Sequence, residues 1–309
     1  MIYTVTLNPA IDKTVVIENF TAGTVNRIVS FREDAGGKGV NVSKCLKKLG
    51  ADTVAVMILA GAAGKRLGAM LENMKIPMLR VPTEGENRTN LKIIDPVNHS
   101  NTDINEPGPK IDEDLLESLK EKIGKSIHKG DIVVLSGSLP KGADKNLYAR
   151  WTNYFRYRGA SVYLDADGEP MARGIKAVPA MIKPNNEELA ALLGKEKLTL
   201  EEMVDEGRRL LDTGIEEVVI SLGSDGILFV SKDGCFKADA LRVPVKSTVG
   251  AGDSVVAAMA YGKVKNLSRE EKIRLAVAIG AASVMQDGSQ PPESSLVWEL
   301  AKGVQITKL

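Results

Sequence analysis

The chain has 309 residues and a formal net charge of +1. That length suits one large core, or a core with a small accessory element. The near-neutral balance argues against nucleic acid as a partner. Cys45 and Cys235 are the only cysteines and form no CxxC pair, which argues against a disulfide scaffold or zinc site and fits a reducing cytoplasm. No apolar run reaches membrane-spanning length, and the start of the chain lacks the features of a signal peptide, so no membrane partner is expected.

In chain order, residues 2–7 alternate β-branched and apolar residues and predict a strand that begins at once. A helix is expected over about 39–49, with Val42, Leu46 and Leu49 on one face and Gly50 at its C-terminal stop. Residues 53–59 read as a buried strand. Leu115, Leu116, Leu119, Ile123 and Ile127 mark an amphipathic helix, and residues 131–135 a second buried strand. Short strand-like runs recur at 161–164, 180–182 and 217–221, separated by helical patterns. Such alternation predicts a mainly parallel sheet with helices on both faces.

Two stretches break this rhythm. Within 13–33, residues 14–17 and 27–31 are strand-like; within 90–105, residues 91–94 and 102–104 are. We expect them to form one small sheet standing off a single domain that spans 1–309, a lid; two unrelated hairpins are the alternative.

The strongest local signal is Ser247-Thr248-Val249-Gly250-Ala251-Gly252-Asp253-Ser254 before a helix. Glycines flanking a small residue allow successive N–H groups to face one point, and the helix N-terminus adds partial positive charge. A carboxylate at its rim can take the proton of an attacking hydroxyl. Taken alone, Asp253 also reads as an ordinary N-cap. The Gly-x-x-x-x-Gly-Lys loop, the dinucleotide fingerprint and the His-Arg-Asp signature are all absent, and neither His99 nor His128 has a catalytic neighbour in sequence.

Other candidates lie where predicted strands end. Asp12, after Asn8-Pro9, can accept bonds from two sugar hydroxyls or simply form a turn. Gly36-Gly37-Lys38-Gly39-Val40-Asn41 opens a helix with one lysine, and Arg88 and Asn90 stand at the root of the proposed lid. Lys38 and Arg88 together suit a phosphate already on the substrate. Ser136-Gly137-Ser138-Leu139-Pro140 ends another strand. Asn185 and Glu188, after Lys183, stand three residues apart, a spacing that serves Mg²⁺ through water or a plain capping box. Ser221, Gly223 and Gly226 form a turn for a nucleotide phosphate or a plain hairpin.

Together and in this order, these segments resemble the ribokinase-like sugar kinases, the family that includes the minor bacterial phosphofructokinase. The resemblance implies a three-layer α/β/α fold with a mainly parallel central sheet and a small β-sheet lid, which often mediates a homodimer. It implies Asp253 as catalytic base, with Gly250, Ala251 and Gly252 as the anion hole. Asp12, Gly37, Lys38, Asn41, Arg88, Asn90 and Ser138 match sugar-phosphate positions. Lys183, Asn185, Ser221, Gly223, Gly226 and Thr248 match nucleotide positions, and Asn185 with Glu188 the water-mediated Mg²⁺ element. The implied reactants are ATP with Mg²⁺ and a small sugar phosphate. Gly-Gly-Lys-Gly is similar to the 1-phosphofructokinase and tagatose-6-phosphate kinase branch, which makes fructose 1-phosphate the first expected substrate and tagatose 6-phosphate the second. A silent sugar-phosphate sensor would not need Asp253. Two segments depart from the family pattern: Asn87-Arg88-Thr89-Asn90 and Asp165-Ala166-Asp167-Gly168.

Overall fold

The computed structural model describes residues 1–309. It opens with β1 (Ile2–Thr6), buried at every residue, as a strand covered on both faces must be. The chain turns at Asn8-Pro9 into β2 (Ala10–Val16) and returns antiparallel as β3 (Ser30–Gly36). α1 (Lys38–Lys48) leads to β4 (Thr53–Ala60), and α2 (Gly61–Asn73) to β5 (Met78–Thr83). β6 (Arg88–Asp95) and β7 (Ser100–Asn105) leave the main body again. Alternation resumes with α3 (Glu113–Ser126), β8 (Ile132–Ser136), α4 (Leu147–Tyr157), β9 (Ser161–Asp165), α5 (Gly168–Ile175) and β10 (Met181–Ile182). α6 (Asn186–Leu192), α7 (Leu200–Asp212) and β11 (Glu217–Ser221) follow, then the hairpin β12 (Ile227–Ser231) and β13 (Gly234–Ala238). α8 (Ala251–Val264), α9 (Arg269–Val284), α10 (Ser294–Ala301) and β14 (Ile306–Lys308) complete the chain.

The main sheet has ten strands in the order β14-β13-β12-β11-β10-β9-β8-β1-β4-β5. It is parallel from β11 to β5, and its last three strands on the other side are antiparallel. Alternate residues of each strand enter two cores. Val5, Val133 and Val162 meet Trp151 and Phe155 of α4 and Leu119 of α3. Ile2, Ile132 and Val219 meet Val42 of α1 and the small-residue faces of α8 and α9. These are the expected three layers. The strand order reverses at β1 and β8: the chain winds one way from β1 to β4 and β5, and the other way from β8 to β11. The loops leaving these two strands therefore part, and the gap between them is where such sheets bind ligands.

The small sheet has four strands in the order β3-β2-β6-β7. It differs from expectation in its bounds. The second strand is Ser30–Gly36, not 27–31, and β2 begins at Ala10, in what was expected to be a loop. The reason is polar patterning: Ala10, Ile11 and Asp12 pair with Gly36, Ala35 and Asp34, and these site-facing carboxylates hide the strand alternation. Cross-strand partners share a face, so Asp12, Asn90 and Asp34 lie on one side of the sheet and Val15, Ile93 and Phe31 on the other.

The apolar residues of the small sheet are divided between cover and exposure. Val15, Ile17 and Ile93 are buried within the sheet's own cluster, with Leu91 and with Phe20 from the β2–β3 connection. Asp95 pins that connection, accepting the Asn19 and Phe20 amides at 3.1 and 2.8 Å. Burial alone would raise the Asp95 carboxyl, but donors from Asn98, Phe20 and Asn19 bring it down to about 2. Ile28 and Phe31 remain exposed.

Gly39 shows how closely the layers approach. A Cβ there would stand 2.8 Å from Val5 O and 3.0 Å from Val5 C. We predict that Gly39→Ala pushes α1 off β1 and costs about 1–3 kcal/mol, read as a lower midpoint in denaturant unfolding. An unchanged midpoint would mean that α1 has room to move.

Candidate active site

α8 starts at Ala251, two residues before the expected start at Asp253. Gly250 is its N-cap, with φ 80° and ψ −3° in the left-handed region that favours glycine. Asp253 is therefore the third helical residue and not the cap. The first-turn amides of Gly252 and Asp253 have no acceptor within the helix, and both residues line the cleft, an arrangement that can cradle an anion. The Lys183 ammonium stands 3.3 Å from where a Cβ on Gly252 would be, adding a cation at its edge.

Asp253 is buried, and Asn41 Nδ2 donates to its Oδ2 at 2.8 Å. Asn41 lies in the first turn of α1, so this bond joins two helix N-termini that come from opposite ends of the sequence. Burial pushes the Asp253 carboxyl up to about 6, and neighbouring Asp165 adds to this; the Asn41 bond and the charges of Lys38 and Lys183 oppose it. Such a carboxylate can accept a proton near neutral pH.

Every residue expected to meet the nucleotide, Lys183, Asn185, Ser221, Gly223, Gly226 and Thr248, lines one cleft of ≈ 1060 Å³ that ends at Gly250–Asp253. Of the two readings of Asn185 and Glu188, the capping box is the one seen. They form a capping box: Glu188 N donates to Asn185 Oδ1 at 2.6 Å and Asn185 N to Glu188 Oε2 at 2.8 Å. The box leaves Glu188 Oε1 outside it, on the cleft wall. No cluster of three or more acidic, His or Cys groups forms a cage. This donor set fits a Mg²⁺ held by phosphates and water, and not one ligated fully by protein. The Ser221–Gly226 segment is a hairpin turn between β11 and β12 as well as a cleft wall.

The sequence reading missed the far wall of this cleft. Val243, Pro244 and Val245 line one side, and Ala276, Gly280 and Val284 of α9 the other. Val245 is 65% exposed, and an apolar run left in solvent before a glycine-rich turn was the available signal.

On the side of the small sheet, Asn90 Nδ2 donates to Asp12 Oδ1 at 2.9 Å, and Arg88 Nε to the Asn8 carbonyl at 3.1 Å. Asn8 Nδ2 in turn reaches Ser138 Oγ at 3.4 Å, bridging the reversal point between β1 and β8. Burial raises the Asp12 carboxyl; the Asn90 bond, Lys44 and Arg88 oppose this. Lys38 has carboxylate partners that lie far from it in sequence. Its Cβ lies near Gly137, but its ammonium is held by Asp165 at 3.3 Å and Asp167 at 3.6 Å, on the cleft that holds Asp253. Burial alone would lower this ammonium, yet Asp165 and Asp167 hold it above its ordinary value. The departure at Asp165-Ala166-Asp167-Gly168 thus has a physical counterpart here: it supplies the carboxylates for Lys38.

Free first-turn amides beside a desolvated carboxylate, at the end of a cleft large enough for a nucleotide, suit a phosphotransferase that acts on a hydroxyl. The comparisons agree. The model of the pfkB family of carbohydrate kinases matches residues 5–296, and the chain belongs to that family. It is 33% identical over 309 residues to a 1-phosphofructokinase of Bacillus subtilis, covering 100% of both chains. It is 30% identical over 312 residues to a tagatose-6-phosphate kinase of Staphylococcus epidermidis, again covering 100% of each. Among solved structures it resembles Escherichia coli phosphofructokinase-2 in complex with substrates and products, with a TM-score of 0.93, 28% identity and 98% of each chain covered. The family's chemistry makes ATP the phosphoryl donor, with a divalent metal. No helix is long and apolar enough to cross a membrane.

Asn41→Leu removes the one side-chain donor on Asp253. We predict that the Asp253 carboxyl then titrates higher than in the wild type, followed by ¹³C NMR of labelled aspartate; an unmoved titration would show that the Asn41 bond does not stabilise the ionised form.

Proposed function

We propose that this kinase transfers the terminal phosphoryl of ATP to the free primary hydroxyl of a ketohexose monophosphate, with fructose 1-phosphate as substrate and the 1,6-bisphosphate as product. The observation that carries this reading is Asp253: a buried carboxylate, hydrogen-bonded to Asn41 and set in the first turn of the helix that forms the cradle.

Asp253 takes the hydroxyl proton as the oxygen attacks the terminal phosphorus and the bond to the ADP oxygen breaks. Charge on the transferred oxygens is met by the amides of Gly250, Ala251, Gly252 and Asp253 and by Lys183. Asn185 and Glu188 would hold Mg²⁺ through its water shell, and the ion would supply positive charge to offset the triphosphate. Asp12 and Asn90 orient sugar hydroxyls, with the Gly37 loop and Asn41 completing the sugar wall. Arg88, anchored on Asn8 beside Ser138, takes the phosphate already present. Lys38, held by Asp165 and Asp167, stands between the two phosphates and serves either one. Thr248, Ser221, Gly223 and Gly226 support the nucleotide phosphates. Tagatose 6-phosphate, a ketohexose carrying phosphate at its opposite end, is the second candidate, favoured by the similarity to the Staphylococcus enzyme. The intact Asp253 and cradle favour catalysis over a sensor.

The small sheet acts as a lid whose inner face carries Asp12 and Asn90. Its outer side exposes Phe31, at 64%, with Ile28, Val29 and Ile104. An exposed apolar strip of this kind fits a homodimer in which two lids pack together. Ile17 is covered within the lid itself, so the test falls on Phe31. Phe31→Asp should give monomers in sedimentation, with weakened sugar-phosphate binding; a wild type that is monomeric and fully active at micromolar concentration would contradict the dimer.

The reaction itself is tested by a coupled assay with fructose 1-phosphate, tagatose 6-phosphate and fructose. Fructose 1-phosphate should give the highest kcat/KM and fructose a poor one, and Arg88→Ala should raise KM for the sugar phosphate by about tenfold or more with little change for ATP. Asp253→Asn should lose about two to four orders of magnitude in kcat with ATP affinity kept. A base must be ionised, so wild-type kcat/KM should be full above about pH 6 and fall as pH drops through it. Near-wild-type turnover in Asp253→Asn would overturn the assignment, and equal rates with fructose would remove the phosphate pocket.

A further inference from the structure

Lys44 lies on α1, three residues after Asn41, and is only 2% exposed. Nothing in the mechanism above uses it. A buried ammonium without satisfied donors is costly, and this one makes no ion pair within 4 Å. It donates instead to Ala35 O at 2.7 Å, Ser289 O at 2.7 Å and Ser289 Oγ at 3.0 Å. Three acceptors match the three donors of an ammonium, whereas a neutral amine has two.

The segments it joins lie on opposite sides of the reaction. Ala35 is near the end of β3, one step before Gly36 and Gly37. Ser289 lies in the loop after α9, and its Cβ stands 3.9 Å from where a Cβ on Gly250 would be, so it packs against the cradle. The preceding residue, Gly288, is so close to the small sheet that a Cβ there would lie 2.6 Å from Asp34 Oδ2. At the root of the same loop, Val284 O accepts the Lys246 and Ser247 amides at 2.7 and 3.2 Å, the segment that runs into Thr248. The sheet that carries Asp12, the loop and the cradle therefore meet at one ammonium.

The charges around it are also specific. Burial lowers the Lys44 ammonium's pKa, and Asp34 on β3, Asp12 on β2 and Asp253 on α8 oppose that. Cys45, its neighbour on α1, is pushed up to about 12 by burial and contributes no charge near neutral pH.

We propose that Lys44 is a positioning residue for phosphoryl transfer: it ties the Ala35 carbonyl of the lid strand to Ser289 against Gly250, sets the spacing between sugar site and cradle, and supplies fixed positive charge behind Asp12 and Asp253. The proposal rests on the kinase reading above through Asp253.

The test is steady-state kinetics of the full chain with ATP and fructose 1-phosphate across about pH 5 to 9, for Lys44→Met, Lys44→Arg and Ser289→Ala, with thermal melts alongside. Lys44→Met should lose about 10- to 100-fold in kcat/KM for the sugar phosphate, as a displaced site does. KM for ATP should stay within about twofold, and the acid limb should move to higher pH because Asp253 has lost a nearby cation. Lys44→Arg, which keeps the charge and donors, should restore the limb and most of the rate. Wild-type kcat/KM for the sugar phosphate in a folded Lys44→Met, whatever its melting temperature, overturns the proposal. If Lys44→Met does not fold, Ser289→Ala decides. It removes one acceptor and keeps the carbonyl, and a few-fold loss confined to the sugar phosphate supports the tether, while unchanged kinetics overturns it. A wild-type acid limb that persists in Asp253→Asn would count against Asp253 as base, and the tether would then be judged on the sugar-phosphate kcat/KM alone.

Discussion

The hydrogen bond from Asn41 to Asp253 spans 212 residues of sequence in 2.8 Å, and the rest of the site depends on it. Each partner sits in the first turn of its helix, so two positive helix ends converge on one buried carboxylate. That convergence needs α1 tight under β1, which Gly39 permits, and α8 tight against α1, which its alanine-rich face permits. A carboxylate placed there is held away from water yet kept within reach of ionisation by one amide and by the nearby lysines. Moving either helix by an ångström would change both its proton affinity and its aim.

The sheet order separates the two sides of the site. Reversal at β1 and β8 opens the gap that Asn8 and Ser138 bridge. The small sheet springs directly from β1 through Pro9 and covers one side of this gap. The large cleft runs the other way, along the ends of β10 and β11 to Gly250–Asp253. Charge is arranged along the same line. Lys38 and Lys183 share Asp165, so two cations remain beside the transferred phosphate without facing each other unpaired. Asp167 and Asp253 stand beside the same two lysines, so the carboxylates there outnumber the cations.

What could be read from the sequence was whatever is local. Thr248 to Asp253 is contiguous, and its glycines and acid declare a cradle without any knowledge of the fold. The buried strands at 132–136 and 217–221 declare themselves by unbroken apolar runs. The small sheet was half legible: its outer ends alternate, but the inner ends carry Asp12, Glu33 and Asp34, because there the strands serve the site and not a core. The short edge strand β14 pairs only with β13 and gives little signal alone. Least legible were partnerships across the chain. Lys38 finds Asp165 127 residues away, and Lys44 finds Ser289 245 residues away. In a helical pattern Lys44 reads as an ordinary surface cation, and nothing near Lys38 in sequence announces Asp165; only packing shows that one lysine is buried and the other paired.

The most direct test of this account is a crystal structure of Asp253→Asn with fructose 1-phosphate and a non-hydrolysable ATP analogue. The free primary hydroxyl should lie about 2.6–3.2 Å from the residue 253 side chain, in line with a terminal phosphoryl that rests on the amides of Gly250 to Gly252. A hydroxyl held instead by Asp12, with residue 253 turned away from both reactants, would contradict it.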